Sequence, residues 1–308
     1  MTDRRSGKAI FRELGRLVTE QRNPRSKNLD KLGTTQILTL MNGEDRRVPA
    51  AVGREIRNIS RAVDLIVERL ARGGRLFYVG AGTSGRLGVL DATECPPTFG
   101  TPRTLVQGII AGGRRALVRS IEGSEDDAKA AAAALKKRRV SERDVVVGIM
   151  ASRRTPYAVG ALRYGRAIGA ATIAVTANPA GGAPLRCDVV IAPRVGPEVL
   201  TGSTRLKAGT AQKLVLNMLT TGAMVRLGKV YENLMVDLRT ASRKLEERTK
   251  RVFMNATGAS YAETGRWLKR AGGSLKVAIV MRRAGVTRAE AERRLKEAQG
   301  WVREAIRS

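Results

Sequence analysis

The stretch RLFYVGAGTSGRLGVLDATECPP, Arg75–Pro97, decides the fold. It begins with a short apolar run that predicts a buried strand, and this run leads directly into a literal G-x-G-x-x-G formed by Gly80, Gly82 and Gly85. An apolar helical pattern follows. A strand, a glycine-rich turn and a helix in this order are typical of α/β proteins that bind a phosphate at the turn. The glycines alone do not distinguish a dinucleotide from another phosphate.

The alternation of strand and helix continues along the chain. Further short apolar runs, separated by helical patterns, lie at 104–110, 143–149, 171–176 and 187–192. A long helix is predicted to begin near Lys207 and to end at about Leu227. This rhythm predicts an α/β fold, a parallel sheet flanked by helices on both faces.

Domain organisation follows from where the alternation begins and ends. Beyond about Met235 the pattern is purely helical, with glycines between its segments. The sequence therefore predicts an N-terminal arm with short helices at 1–47, an α/β domain at 48–245 and a small C-terminal all-helical module at 246–308.

The chain is strongly basic, with 57 Lys and Arg against 28 Asp and Glu and a formal net charge of +29. A polyanion such as nucleic acid is one explanation, and attraction of a small phosphorylated substrate against a basic background is the other. The basic residues are scattered and no aromatic side chains are interleaved with them as a stacking platform. The pattern favours the second explanation and predicts no specific nucleic-acid partner.

Several chemistries are excluded by composition. The chain has no histidine, so proton transfer falls to Glu, Asp, Lys, Tyr or Cys. Cys95 and Cys187 are far apart in the sequence, which indicates neither a structural disulfide nor a zinc site. No apolar run approaches the roughly 18 residues of a membrane span, and the N-terminus lacks a secretory pattern. We therefore predict a cytoplasmic protein without a metal or a membrane partner.

Hydroxyl side chains follow three of the predicted strands, at the carboxyl ends where α/β sheets bind ligands. They are Thr83 and Ser84, then Ser152 and Thr155, then Thr201, Ser203, Thr204 and Thr210, with Lys207 beside this last group. Pro156 suits the first position of a helix, and Ser203 or Thr204 suits an N-cap. Helix N-termini offer free N–H groups to an anion, although ordinary capping explains each loop taken singly.

A dinucleotide site needs an acidic residue at the end of the second strand. That strand ends in IIAGGRR, 109–115, which contains no acid, although an arginine there would suit NADP. Three hydroxyl-rich loops fit one compact phosphate better than a pyrophosphate. We therefore expect a single phosphate group as the ligand.

Two glutamates are candidate acid–base residues. Glu94 precedes Pro96 and Pro97, which are expected to end its helix and leave the carboxylate at the unfavourable C-terminus. A solvated surface acid is the alternative. Glu125 follows Ser124, which is expected to cap a helix, and acidic residues are favourable in the first turn of a helix. That structural role competes with a catalytic one.

The chain closely resembles the bacterial N-acetylmuramic acid 6-phosphate etherases over nearly its whole length. The matching motifs are TEQRNPRSKNLD at 19–30, GAGTSGRLGVLDATECPPTFG at 80–100, IAGG at 110–113, EGSEDD at 122–127, RTPY at 154–157, GSTRLKAGTAQKLVLNMLTTGAM at 202–224 and GKVYENLMVD at 228–237. The resemblance implies a sugar-isomerase (SIS) fold with a five-stranded parallel sheet, 48–245 being the catalytic domain. It also implies a homodimer that uses no metal and no cofactor.

The implied reaction cleaves the lactyl ether at carbon 3, giving N-acetylglucosamine 6-phosphate and D-lactate in cell-wall sugar recycling. By resemblance, Glu94 is the proton donor to the departing lactyl oxygen and Glu125 is the base at carbon 2. The loops that would hold the 6-phosphate and the sugar hydroxyls contain Gly82, Thr83, Ser84, Ser152, Arg154, Thr155, Ser203, Thr204 and Lys207. An SIS isomerase shares the fold but not the ECPP and EGSEDD motifs. A non-catalytic SIS phosphosugar sensor, the alternative function, would need neither glutamate.

Arg153 departs from the family pattern, which usually reads A-S-G-R-T-P where this chain reads ASRRTP at 151–156. If the family glycine has a positive φ, an arginine strains the loop. Alternatively, the arginine adds a phosphate contact. The sequence leaves both possibilities open.

Overall fold

A computed structural model describes Gly15 and residues 17–179, 184–238 and 243–308. It divides into two compact units that are not continuous in sequence. Met1–Ala92 and Thr104–Leu219 form the sheet unit, and Thr93–Arg103 and Thr220–Ser308 form the helical unit. The predicted domain boundaries at 47 and 245 stay predictions. Part of the predicted N-terminal arm, 1–14 and residue 16, lies outside the described residues.

The sheet unit is built on five parallel strands in the order β2-β1-β3-β4-β5. Their bounds are Leu76–Gly80 for β1, Val106–Ile110 for β2, Val145–Ile149 for β3, Ala171–Val175 for β4 and Val189–Ile191 for β5. Each is shorter than the run predicted for it, which for β1 was 75–80. Gly80 lies opposite Ile110 of β2 and Ile149 of β3, so the loops after these three strands leave the sheet side by side.

Helices lie before β1, after each of β1, β2 and β3, and after β5. They are α1 at Thr34–Asp45, α2 at Arg47–Gly53, α3 at Ile56–Ala71, α4 at Gly82–Phe99, α5 at Ala128–Lys137, α6 at Pro156–Ala167 and α7 at Lys207–Arg226. Phe77 and Val79 of β1 are fully buried in a cluster with α5 and α6, whereas a Cβ on Gly88 of α4 would lie 2.9 Å from Tyr78 Cβ. Successive side chains of a strand point to opposite faces. The predicted parallel sheet with helices on both faces is therefore confirmed.

The expected end of the fourth helix is wrong. Helix α4 continues through Pro96 and Pro97 to Phe99 and ends at Gly100, whose φ is +64° and whose N–H donates to Pro96 O at 3.0 Å. Glycine takes this left-handed conformation without the strain a Cβ would add. Glu94 therefore lies more than one turn before the helix end, where the dipole penalty has faded. Its proposed role rests on the family resemblance alone.

The helical unit contains α8 at Arg243–Thr257, α9 at Tyr261–Arg270, α10 at Leu275–Ala284, α11 at Arg288–Glu297 and α12 at Val302–Arg307. Ser260, Ser274 and Thr287 cap α9, α10 and α11 by accepting a first-turn N–H. The core of this unit includes Phe253 and Ile279, both fully buried. A two-residue hairpin, β6 at Val230–Tyr231 with β7 at Leu234–Met235, was not predicted, because strands this short carry no alternation.

Across the described parts of the chain, none of the helices combines the length and the apolar composition that crossing a bilayer requires.

Candidate functional site

A cleft that is open to solvent lies where β1 and β2 end. Its walls include Ala81, Gly82, Arg86, Ala111, Arg119, Ser120, Glu122 and Glu125. Two residues predicted from the sequence, Gly82 and Glu125, thus share one cleft. The position agrees with the general rule that α/β sheets bind ligands beyond the carboxyl ends of their strands.

The three glycines of the opening motif have separate physical roles. A Cβ on Gly80 would lie 2.9 Å from Gly85 N, and a Cβ on Gly85 would lie 2.6 Å from Gly80 O. These two glycines let α4 pack directly on β1. Gly82 has a φ of +52°, which few other residues adopt without strain. The chain therefore turns sharply into α4, and the first-turn N–H groups of Gly82, Thr83 and Ser84 have no intrahelical acceptor.

The beginnings of α4 and α7 lie side by side. A Cβ on Gly209 would lie 3.4 Å from Thr83 Cγ2 and 3.6 Å from Thr204 O. Further along the same two helices, Asn217 Nδ2 donates to Asp91 Oδ1 at 2.7 Å. The segments that carry Thr83 and Thr204 are thereby brought together, with Ser203 next to Thr204 and partly exposed.

The predicted N-cap of α7 is wrong. The helix begins at Lys207, and its cap is the buried carboxylate of Glu198, which accepts from Lys207 N at 3.0 Å and Ala208 N at 2.9 Å. Burial raises the pKa of Glu198, and the two backbone hydrogen bonds oppose that rise. The carboxylate of Glu198 therefore accepts hydrogen bonds from the N–H groups at the start of α7, where the sequence predicted that a ligand anion could bind.

Lys207 is buried, with 1 % of its surface exposed. Its Nζ donates to Glu44 Oε2, and Glu44 also accepts from Asn23 Nδ2 at 2.9 Å, Arg25 at 3.2 Å and Arg47 at 3.3 Å. Burial acts to raise the pKa of Glu44, but the hydrogen bonds from Lys207, Arg25 and Asn23 outweigh it and lower the pKa to about 2. Lys207 is therefore committed to an internal ion pair, and the structure does not present its ammonium to a ligand.

The loop after β3 enters α6 as the sequence predicted. Pro156 is the first residue of the helix and Thr155 precedes it, with no hydrogen bond from its side chain to the helix. Ser152, Arg154 and Thr155 are each half-buried. Because β3 is the neighbour of β1 in the sheet, this loop emerges next to the Gly82 turn.

The expected helix start at Ser124 is also wrong. Ser124–Asp126 is a single 3₁₀ turn, and Asp127 caps α5 by accepting from Lys129 N and Ala130 N, both at 2.9 Å. Ser124 Oγ instead donates to Ile121 O at 2.7 Å. Glu125 is thus not a first-turn helix residue stabilised by a dipole. Its exposed side chain lies at the cleft, on a turn that packs against α6.

Glu94 is exposed on α4 and is not part of the cleft lining. It belongs to the helical unit, whereas Glu125 belongs to the sheet unit. The pairing of the two carboxylates at one substrate therefore stays a prediction.

Arg153 occupies the left-handed region, with a φ of +65°. Its Nη1 donates to Pro179 O, so the guanidinium is bound to a neighbouring loop of the same chain. The strain that the sequence suggested is therefore present, and the side chain has an internal partner.

Substitution of Arg153 tests this strain. We expect Arg153→Gly to be more stable than Arg153→Ala by about 1 kcal/mol, because both lose the contact with Pro179 but only alanine keeps a Cβ in the left-handed region. Urea unfolding of the two variants measures the difference. The control is the same pair of changes at Arg154, which does not have a positive φ. There the alanine variant should be the more stable of the two. Equal stabilities at position 153 would contradict the strain.

Three functional candidates escaped the sequence analysis, namely Glu44, Glu198 and Arg86. The first two are buried acids. Glu44 pairs with Lys207, 163 residues away, and Glu198 caps a helix that begins 9 residues further on, across an irregular loop. No local pattern reveals either partner. Arg86 directly follows the glycine motif, which is the signal that could have found it. Within the described ranges, no group of three or more Cys, Asp and Glu side chains could hold a metal ion.

Two family models match the chain. The first, described as the glucokinase regulatory protein N-terminal SIS domain, matches residues 58–166, and the second, the SIS domain, matches residues 126–222. Both matches fall on the parallel sheet and its helices.

Curated relatives match almost end to end. The N-acetylmuramic acid 6-phosphate etherase of Salinibacter ruber is 56% identical over 299 residues, which are 97% of this chain and 96% of that protein. The etherase of the same name from Serratia proteamaculans is 52% identical over 293 residues, 95% of this chain and 99% of that one.

Solved structures show more distant likenesses. The phosphoheptose isomerase of Neisseria gonorrhoeae is 15% identical with a TM-score of 0.48, covering 62% of this chain and 98% of that one. The C-terminal domain of glucosamine-fructose-6-phosphate aminotransferase from Francisella tularensis is 16% identical with a TM-score of 0.40, covering 82% of this chain and 58% of that one.

Proposed function

The chain belongs to the N-acetylmuramic acid 6-phosphate etherase family, and from this membership we propose that it cleaves the D-lactyl ether of N-acetylmuramic acid 6-phosphate. The products are N-acetylglucosamine 6-phosphate and D-lactate, and the enzyme is a carbon–oxygen lyase. The observation that carries the proposal is 56% identity to an etherase over 97% of the chain. Its place is in amino-sugar metabolism, in the recycling of cell-wall sugars.

The reaction proceeds by elimination followed by addition of water. Opening of the sugar ring exposes an aldehyde at carbon 1, which acidifies the proton at carbon 2. Glu125 removes that proton, and the C3–O bond breaks while Glu94 protonates the departing lactyl oxygen. Water then adds to the unsaturated aldehyde, its oxygen to carbon 3 and a proton to carbon 2. A positioned acid or base contributes about 10²–10⁴ in rate.

The 6-phosphate binds at the first turn of α4 in this proposal. Support comes from the N–H groups of Gly82, Thr83 and Ser84, which have no intrahelical acceptor, and from the presence of Gly82 and Glu125 in the same cleft. Ser203 and Thr204 reach the ligand through their hydroxyls, because their segment lies beside Thr83. Lys207 acts indirectly, through its ion pair with Glu44, which holds the start of α7.

In this proposal the loop after β3 also binds the substrate. Its residues Ser152, Arg154 and Thr155 contact the sugar hydroxyls and the phosphate. Its support is the position of β3 beside β1, which brings this loop next to the Gly82 turn.

We expect the purified protein to release D-lactate from N-acetylmuramic acid 6-phosphate without added metal. In deuterated water the N-acetylglucosamine 6-phosphate formed should carry deuterium at carbon 2, because the proton removed there is replaced from solvent. Enzymatic assay of lactate and mass spectrometry of the sugar measure both results. A well-folded protein that binds the substrate but releases no lactate would favour a phosphosugar sensor. Lactate release without deuterium would reject the elimination.

We further propose that the enzyme is a cytoplasmic homodimer without a specific nucleic-acid partner. The net charge of +29 then serves to attract a substrate that carries both a phosphate and a carboxylate. Light scattering should give twice the chain mass of 33.3 kDa, and a monomer that is fully active would contradict the dimer.

A further inference from the structure

We propose that Arg86 is a positioning residue that fixes the Glu125 turn against the phosphate-binding end of α4. Arg86 is half-buried, lies one turn into α4 and forms part of the cleft wall. Its Nε donates to Leu117 O at 3.2 Å and its Nη2 donates to Arg119 O at 3.0 Å. One rigid side chain thus joins helix α4 to the segment that leads to Glu125.

The segment that Arg86 anchors is mostly exposed between its contacts with β2 and with α6. It leaves β2 through Gly112 and Gly113, with φ of +77° and +69°, and most of residues 118–126 are exposed. Between Gly112 and the Glu125 turn, Ala116 is the one buried residue, whereas Val118 is 84% exposed. A segment with so little buried apolar surface opens easily unless hydrogen bonds hold it. The two bonds from Arg86 therefore hold the exposed part of this segment, in addition to the packing of the Glu125 turn against α6.

The geometry of the contact requires a guanidinium. The two carbonyl groups are two residues apart, and the forked N–H groups of arginine reach both at once, whereas a lysine ammonium is a single point charge on a flexible stem. A misplacement of about 1 Å in a catalytic group costs about 10²-fold in rate. Arg86 therefore acts on turnover through Glu125, while the phosphate remains bound by the backbone of Gly82–Ser84.

This inference rests on the proposed function, but part of its test does not. In Arg86→Gln we expect kcat to fall about 10–100-fold, with KM and the affinity for N-acetylglucosamine 6-phosphate changed by less than about threefold. Amide hydrogen exchange in residues 112–126 should become at least about tenfold faster, whether or not the protein is active. Arg86→Lys, which keeps the charge, should show the same pattern and provides a second variant if the first folds poorly.

Arg115→Gln is the matched control, because Arg115 is an exposed arginine of the same segment outside the cleft wall. It should leave kcat and exchange unchanged. A loss of product affinity in parallel with kcat/KM would show that Arg86 binds the ligand itself and would overturn a positioning role. Unchanged exchange in 112–126 would overturn it equally. Absence of activity in the wild-type protein would reject the proposed function. The exchange result would then still test whether Arg86 holds residues 112–126 in place.

Discussion

Glu94→Gln is expected to lower turnover at least about 10²-fold while substrate binding changes only a few-fold. Glutamine keeps the shape of the side chain but has no acidic proton to give to the departing lactyl oxygen. Glu94 is exposed on α4, so the change removes no buried contact and should leave folding stability within about 0.5 kcal/mol. The loss is therefore expected in kcat and not in KM.

Steady-state kinetics with N-acetylmuramic acid 6-phosphate measures kcat and KM for this variant. Glu68→Gln is the control, since Glu68 is an exposed glutamate of α3 whose ion pair is with Arg72, the residue that follows the same helix. It should be as active as the unmodified protein. Near-normal turnover of Glu94→Gln would remove Glu94 from the role of proton donor. A parallel rise in KM would instead identify it as a binding residue.

The architecture could be predicted because local patterns determine it. Apolar runs of strand length separated by helical patterns define a parallel sheet, and Gly80, Gly82 and Gly85 permit the close packing and the turn at the end of β1. The reading of Pro96 and Pro97 as a helix end failed because the proline rule is statistical. The chain tolerates them in the last turn and ends the helix at Gly100.

The candidate site was predicted less completely, for a physical reason. Hydroxyl residues at strand ends are local features, and Thr83 lies in the first turn of the helix after β1, as the sequence predicted. Whether a charged residue faces the ligand or the interior depends on partners distant in sequence. From its own loop Lys207 looks like a phosphate-binding residue, yet its ammonium is paired with Glu44, 163 residues away. Ser203 and Thr204 likewise resemble N-cap residues, but in the structure Glu198 caps the start of α7.

The cluster of Glu44, Lys207 and Glu198 joins the N-terminal segment to the start of α7. Asn23 Nδ2 donates both to Glu44 and to Pro197 O, at 2.9 and 3.1 Å, and Ser26 Oγ donates to Val199 O at 2.7 Å. These bonds hold the loop that precedes Ser203 and Thr204. Asn23 and Ser26 of the motif at 19–30 therefore support the loop that precedes Ser203 and Thr204.

Glu44→Ala is accordingly expected to destabilise the protein by about 3–5 kcal/mol, the usual cost of removing one partner from a buried ion pair. Lys207, 1 % exposed, would be left charged and without its carboxylate, whereas Arg25 and Arg47 are more than half exposed and can return to water. Urea unfolding at neutral pH measures the loss. Glu68→Ala, at an exposed helical position, is the control and should change stability by less than about 0.5 kcal/mol.

Two further measurements separate the ion pair from simple loss of packing. In Glu44→Leu/Lys207→Met the buried ammonium that would lose its carboxylate is removed as well, so the double variant should be more stable than Glu44→Ala. The pKa of Glu44 is about 2 in the folded protein against 4.5 as its ordinary value, so this carboxylate stabilises the fold fully above about pH 4.5. That contribution is lost as the pH falls toward 2, and the stability gap between the unmodified protein and Glu44→Ala should narrow over the same range. A gap that does not change between pH 5 and pH 2 would show that the carboxylate charge contributes nothing to the fold.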